Sequence, residues 1–298
     1  MSTSGQSTFA ITGITGQVGG VVARTLLDAG KLVRAVVRSA DKGAEWAGKG
    51  CQIALAEMSD ANALTAAFTG AGAVFVLLPP FFAPSPGFPE ARTAINALKS
   101  ALSAARPERI VVLSTVGAQA KRESLLTQLG IMEQTLGELA MPIAFLRAAW
   151  FMENSAWDVE PAAKDGVISS FLQPLDKAIP MVATADIGRV AAELLQEQWT
   201  GRRIVELEGP RRVSPNDIAA TFAKVIGRPV RAQAVPRQTW ADIFASMGPG
   251  NFEPRMQMLD GFNQGWICFE GDDSQIRKGI VTLETVLEGL VRSRGGGS

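Results

Sequence analysis

Glycines recur at every third position in Thr12-Gly13-Ile14-Thr15-Gly16-Gln17-Val18-Gly19. The stretch lies between an apolar run, Phe9-Ala10-Ile11, and a segment with Val18, Val21, Val22, Thr25, Leu26 and Ala29 at helical spacing. The order reads as strand, tight turn and helix. Glycine adopts backbone angles that other residues resist and lets a pyrophosphate approach the main chain, while the helix start offers unpaired N–H groups and a positive dipole end. Such a turn fits a dinucleotide, with Thr12, Gly13, Thr15, Gly16, Gln17, Val18 and Gly19 around its phosphates. Roughly 20 residues beyond the glycines, Arg38 follows a second apolar run, Leu32-Val33-Arg34-Ala35-Val36-Val37. An acid there would select a free ribose 2′-hydroxyl, whereas an arginine accommodates a 2′-phosphate. Arg38 therefore points to NADP(H). Ser39 and Lys42 either add to that phosphate site or, for Lys42, are plain surface.

More chemistry-bearing residues follow the later apolar runs. Ser114 and Thr115 come directly after Arg109-Ile110-Val111-Val112-Leu113. In a doubly wound fold those hydroxyls lie near the nicotinamide, and either is a candidate to hydrogen-bond an acceptor oxygen. Leu78 and Pro79 close the run at residues 73–78 on the same edge, as further cofactor neighbours. The loop beyond, Pro79-Pro80-Phe81-Phe82-Ala83-Pro84-Ser85-Pro86-Gly87-Phe88-Pro89, sets Phe81 and Phe82 on a proline-stiffened segment. They either wall an apolar pocket or pack on the next helix. With Thr115, Trp150, Phe151 and Asn154 they make up the expected substrate pocket, suited to a flat, apolar molecule.

The chain has 298 residues, 47% of them hydrophobic, with 29 basic and 29 acidic side chains. That is enough for a large core, and the even charge offers no footprint for nucleic acid or an anionic membrane, so a small molecule is the expected partner. The apolar stretch at residues 73–83 is too short to cross a bilayer, and residues 1–8 lack a signal-peptide core; a cytoplasmic monomer or homodimer is expected. Cys51 and Cys268 lie far apart without metal-ligand spacing and read as buried structural thiols. The chain contains no histidine and no tyrosine. Their absence excludes histidine-ligated metals, Ser-His-Asp triads and tyrosine proton donors, and no metal site is expected.

Strands alternating with helices must position these residues. Strands are expected at residues 32–37, 52–56, 73–78, 109–113 and 143–147, with helices near 41–47, 60–68 and 90–105 and a further helix carrying Leu125, Leu129, Met132, Leu136 and Leu139. This is the signature of an α/β fold with a Rossmann-type doubly wound parallel sheet. Ala149-Trp150-Phe151-Met152-Glu153-Asn154 reads as the close of the sixth strand. The alternation loosens after Ala148, which divides the chain into a dinucleotide-binding domain at residues 8–150, a smaller C-terminal α/β lobe within 151–292 with some segments returning to the first domain, and a flexible tail at 293–298. Within the lobe, Thr184 is expected to cap a helix with Asp186 in its first turn. Ser214-Pro215-Asn216-Asp217 starts another.

On these residues the chain resembles the NmrA-like group of atypical short-chain dehydrogenase/reductases. The resemblance rests on Thr12-Gly13-x-Thr15-Gly16-x-x-Gly19, Arg38, Ser114-Thr115-x-Gly117-Ala118, Leu146-Arg147-x-x-Trp150-Phe151-Met152-Glu153-Asn154 and Ala185-Asp186-Ile187-Gly188. It implies an NADP-binding domain with a small lobe closing a substrate cleft, in a group that includes quinone oxidoreductases, triphenylmethane reductases and non-enzymatic NADP sensors. Where related enzymes carry a tyrosine or lysine proton donor, on the helix after the fifth strand, this chain reads Leu129-Gly130-Ile131-Met132-Glu133-Gln134. Glu133 matches a glutamate of the group, and its helical position suits an ion pair. Two functions remain: an NADPH-dependent oxidoreductase acting on a conjugated, quinone-like acceptor that needs little assisted protonation, or a non-catalytic NADP(H)-binding sensor.

Overall fold

Every residue of Ala71–Val76 and of Ile143–Ala148 is buried, which a strand achieves when helices cover both faces of its sheet. The computed structural model describes residues 7–295. The first half of the chain runs β1 (Thr8–Ile11), α1 (Gln17–Asp28), β2 (Leu32–Val37), α2 (Ala40–Gly48), β3 (Gln52–Leu55), α3 (Ala61–Phe68), β4 (Ala71–Val76), α4 (Pro89–Ala105), β5 (Arg109–Thr115), α5 (Thr127–Leu136) and β6 (Ile143–Ala148). The second half runs β7 (Trp150–Phe151), α6 (Val159–Asp165), β8 (Val167–Ser170), β9 (Met181–Val182), α7 (Thr184–Gln196), β10 (Arg202–Glu208), α8 (Pro215–Ile226), β11 (Arg231–Ala234), α9 (Trp240–Ser246), α10 (Glu253–Gln264), β12 (Arg277–Lys278) and α11 (Leu283–Gly295). A 3-10 helix, Met152–Asp158, joins β7 to α6.

Eight strands form one sheet in the order β12-β10-β6-β5-β4-β1-β2-β3, every neighbouring pair parallel. The chain winds outward from β1 to β3, then returns across β1 to β4 and winds the other way, so the switch point lies between β1 and β4. Helices α1, α2 and α7 cover one face with Val22, Leu26, Trp46, Ile187 and Leu194; α3, α4 and α5 cover the other with Leu64, Phe68, Ile95, Leu98 and Met132. This is a Rossmann-type doubly wound sheet. A third core, around Phe222, Trp240, Phe244 and Leu287, joins α6, α8, α9, α10 and α11 to the parallel pair β8–β11.

Several boundaries differ from the sequence reading, each for a local reason. β4 ends at Val76 because the next N–H, on Leu77, bonds the Thr12 hydroxyl instead of a strand partner. Ser114 and Thr115 are the last residues of β5, held opposite Arg147 and Ala148. Trp150 and Phe151 do not close the sixth strand; they leave the sheet and pair with Met181 and Val182. α7 and β10 return to the main sheet layers, as does β12 beside β10. Ala183, not Thr184, caps α7; Thr184 donates its hydroxyl hydrogen to Glu153 at 2.6 Å. In α1 it is Ala23 that is buried and Ala29 that is exposed, Leu139 lies past the end of α5, and of the two thiols only Cys51 is buried, Cys268 being exposed. The final helix continues through residues 293–295, read above as tail, while residues 296–298 of that tail lie outside the described residues.

Asp158 ends the first 3-10 helix, and burial pushes its carboxyl up to about 7. A carboxyl whose folded pKa exceeds its unfolded value favours folding while protonated, and that contribution is lost as pH rises from the unfolded value toward 7. Asp158→Asn is therefore expected to raise stability at pH 8 by about 1–3 kcal/mol and to flatten the decline between pH 5 and 8. Urea unfolding midpoints measured across that range check it; a variant declining in parallel with the wild type would refute it.

Candidate functional site

At the switch point Thr12 ties the ends of β1 and β4 together. Its N–H and its hydroxyl both donate to the Phe75 carbonyl at 3.1 Å, and the hydroxyl accepts the Leu77 N–H at 2.9 Å. The side chain is fully buried, so it faces this seam and not the loop. Gly13 then turns into the left-handed region at φ 62°, and the Gly16 N–H closes the turn on the Gly13 carbonyl at 3.0 Å. A Cβ on Gly19 would stand 2.3 Å from the Gly13 oxygen, closer than any real carbon contact, so only glycine lets the first turn of α1 sit against the loop. Thr15, Gly16 and Gln17 are exposed on the turn, whereas Val18 points into the core. Gly16 caps α1 without a side-chain bond, which leaves the first helical N–H groups facing outward. The cradle fits a pyrophosphate.

β2 delivers Arg38 and Ser39 to the same edge. Both are exposed, and Ser39 is the extended N-cap of α2 with no side-chain bond into the helix. Arg38 and Lys42 have no hydrogen-bond or ion-pair partner among the described residues. An unpaired guanidinium at a helix N-terminus is a good phosphate site, so these residues fit a ribose 2′-phosphate.

The ends of β5 and β6 carry a buried charge network. Arg147 donates to Glu133 through Nε at 2.9 Å and Nη2 at 2.7 Å, and through Nη1 to Glu270 at 2.7 Å, with a Glu206 carboxylate oxygen 3.6 Å away. Burial alone would favour a neutral guanidine, but the bonds and charges of Glu133 and then Glu270 outweigh it, so Arg147 holds its proton more tightly than a free arginine. Glu206 in turn accepts the N–H groups of Glu270 and Gly271. Ser114 donates its hydroxyl hydrogen to Glu133 at 2.6 Å and is buried. Thr115 is half-buried and makes only a 3.2 Å bond to the adjoining Val116 carbonyl, so its hydroxyl is the freer of the two.

Over this edge stands the loop after β4. Phe81 and Leu78 turn inward onto the α3–α4–α5 core, Pro79 is half-buried, and Phe82 remains exposed with the Arg255 guanidinium 5.9 Å from its ring. Trp150 packs edge-on against Phe262 at 5.2 Å, Phe151 turns the other way onto the core under α1, and Asn154 is exposed. Gln128 donates to the Phe81 and Leu125 carbonyls, and Gln119 to the Cys268 carbonyl. The Oε1 atoms of both are buried and lack a donor among the described residues. A surface concavity of about 550 Å³ lies elsewhere, between α9 and α10, and its one charged lining residue is Glu253; the dinucleotide cradle and the hydroxyls are not part of it.

The structure thus gathers the glycine loop, Arg38, Ser114, Thr115, Phe82 and Trp150 along the C-terminal ends of the strands, and turns Thr12, Val18, Leu78, Phe81 and Phe151 into the packing behind them. The partners of Glu133 and the roles of Gln119, Gln128 and Arg255 were not read from the sequence. Arg147 and Glu206 did carry a signal: charges inside strands that are otherwise buried must be paired.

A sequence model of the NmrA-like family matches residues 5–265. The NAD(P)H azoreductase of Xenophilus azovorans is 27% identical over 240 residues, 80% of this chain and 80% of that protein. Quinone oxidoreductase 2 of Escherichia coli is 27% identical over 242 residues, 80% of this chain and 82% of the relative. The solved structure of the Escherichia coli NADPH-dependent quinone oxidoreductase complexed with NADPH has a TM-score of 0.78 at 22% identity, over 96% of this chain and 99% of that one, and so shares its fold.

Removing one member of a buried ion pair leaves the other charge uncompensated, which typically costs about 3–5 kcal/mol. Glu133→Gln, which keeps one hydrogen bond, is expected to lose about 2–4 kcal/mol, read as a lower denaturant midpoint at unchanged slope. A loss below about 0.5 kcal/mol would mean that the network does not hold the strand ends.

Proposed function

The chain belongs to the NmrA-like family, and from that membership we propose that it is an NADPH-dependent oxidoreductase that delivers hydride to a small, apolar, conjugated acceptor of the quinone type. The observation that carries this reading is the exposed, unpaired Arg38 at the α2 N-terminus, next to a glycine turn too tight for any other residue at position 19. When bound, NADPH supplies hydride from its nicotinamide ring. Gly13, Thr15, Gly16, Gln17 and the start of α1 hold the pyrophosphate, and Arg38 with Ser39 and Lys42 holds the 2′-phosphate.

The remaining tasks for the protein are orientation and exclusion of water. Phe82 and Trp150 wall the acceptor site, and Pro79 borders it. Thr115 is the hydroxyl placed to hydrogen-bond the acceptor oxygen, because the Ser114 hydrogen is already given to Glu133. The chain has no tyrosine or histidine to donate a proton there, which suits an acceptor that spreads its new negative charge over a conjugated frame and takes its proton from water, as a quinone does. The azoreductase and the quinone oxidoreductase among its relatives are named for conjugated acceptors. The sequestered Ser114 also favours a second reading, a sensor that binds NADP(H) without turning it over.

NADPH oxidation followed with a panel of quinones, enones and triarylmethane dyes separates the two, with turnover expected on quinones. Tight NADPH binding with no turnover on any acceptor would establish the sensor. Arg38→Ala is expected to weaken NADPH binding by about 10–100-fold and NADH binding by less than about threefold, measured by fluorescence titration; equal losses would place the 2′-phosphate elsewhere.

A further inference from the structure

The buried and half-buried arginines elsewhere among the described residues are matched with acceptors, among them buried Arg147 with Glu133 and Glu270, half-buried Arg189 with Asp186 and Glu193, and half-buried Arg34 with Gln52 and the Ala67 and Thr69 carbonyls. Arg255 is not. Its guanidinium lies 4.9 Å from the centre of the Phe244 ring and 5.9 Å from that of Phe82, and it makes no side-chain hydrogen bond or ion pair among the described residues. Burial pushes its pKa below that of a free arginine, and no carboxylate opposes the shift. A planar cation against aromatic faces still keeps its N–H edge available for bonds in its own plane.

The position of Arg255 says what that edge faces. Arg255 and Phe262 are seven residues apart on α10, about two helical turns and roughly 10 Å, so they share one face. At one end of that face Arg255 meets Phe82, in the loop after β4; at the other Phe262 meets Trp150, just past β6. The Pro254 carbonyl accepts the Leu125 N–H at 2.7 Å, and a Cβ on Gly250 would lie 2.7 Å from the Ala83 Cβ, so the start of α10 is pinned over the sheet edge. α10 therefore roofs the acceptor site, with an otherwise apolar face that carries one unmatched cation.

We propose that Arg255 selects acceptors that carry an oxyanion, a sulfonate, carboxylate or phosphate, on the conjugated frame, with the guanidinium edge binding the oxyanion and Phe82 and Trp150 flanking the ring system. This deepens the oxidoreductase reading above and rests on it. The test compares kcat/KM for 1,4-naphthoquinone-2-sulfonate with that for 2-methyl-1,4-naphthoquinone, in wild type and in Arg255→Met and Arg255→Lys. Taking the sulfonate-to-neutral ratio in each protein cancels the different reduction potentials of the two quinones. Arg255→Met is expected to lower that ratio at least about tenfold, mainly through KM for the sulfonate. Arg255→Lys keeps the charge but not the planar fork; it is expected to lower the ratio about threefold or more, and it carries the test if the methionine variant does not fold. An unchanged ratio in a folded variant overturns the proposal. If the wild type reduces neither quinone, the oxidoreductase reading fails separately, and calorimetric binding of naphthalene-2-sulfonate to the NADP⁺-saturated protein decides the anion site. Binding weakened tenfold by Arg255→Met supports it, and binding that is absent in wild type or equal in the variant overturns it.

Discussion

The fork between β1 and β4 depends on one hydroxyl. Parallel strands that lie side by side must part at the switch point for a crevice to open, and parting leaves main-chain groups without ladder partners. Thr12 resolves this by accepting the Leu77 N–H while donating to the Phe75 carbonyl. The glycine turn and the aromatic loop then fan out from a single fixed knot, one forming the turn that fits a pyrophosphate and the other leading to the proposed acceptor site. Leu77 packs against Gly13, and the Gly13 carbonyl sits where a Cβ on Gly19 would be, so the position of α1 follows from the same seam. Thr12 reads in sequence as a phosphate contact, yet its contribution comes from behind the loop, by holding the two ends at a constant separation.

A second constraint acts farther along the edge. Arg147 is a cation in the middle of a sheet, and its desolvation is tolerable only because acids from α5, β10 and the segment after α10 converge on it. Such a network adds little net stability over apolar packing, but it fixes geometry: it ties β5, β6, β10 and α5 to the segment at residues 266–271, which crosses the edge between sheet and lobe. It also takes up the Ser114 hydroxyl hydrogen, which leaves Thr115 the freer of the two hydroxyls. The proposed division of labour between the two adjacent hydroxyls is thus set by a charge buried behind them and not by their places in the strand.

How much of this was legible follows from the range of the interactions. The strands β1 to β6 announce themselves by local apolar periodicity, and Arg38 by its distance from the glycines, since both signals lie within about 30 residues of one another. What escaped was set by contacts across the chain. β7 looks like a continuation of β6 until Met181 and Val182 draw it aside, and β12 is two residues paired to Leu207 and Glu208 with no pattern of its own. Thr184 has the composition of a cap, but Glu153, 31 positions earlier, holds its hydroxyl and its N–H. Arg255 sits in a helix whose amphipathic pattern gives no hint of the Phe82 ring above it.

These observations assign rigidity and choice to different layers. The sheet edge is stitched by main-chain bonds, a threonine and a buried arginine, all of which resist displacement, and the chemistry proposed for it asks for little beyond fixed distances. The lobe is built differently. Phe171 packs against both Trp240 and Phe244, and Phe244 stacks on Phe252, which makes an aromatic column under the start of α10. Aromatic packing of this kind is stiff but indifferent to polarity, so it can present a charged residue such as Arg255 without pairing it. In a chain that lacks tyrosine and histidine, the acceptor discrimination proposed above rests on the surface facing the strand ends, and α10 is the element proposed to supply it.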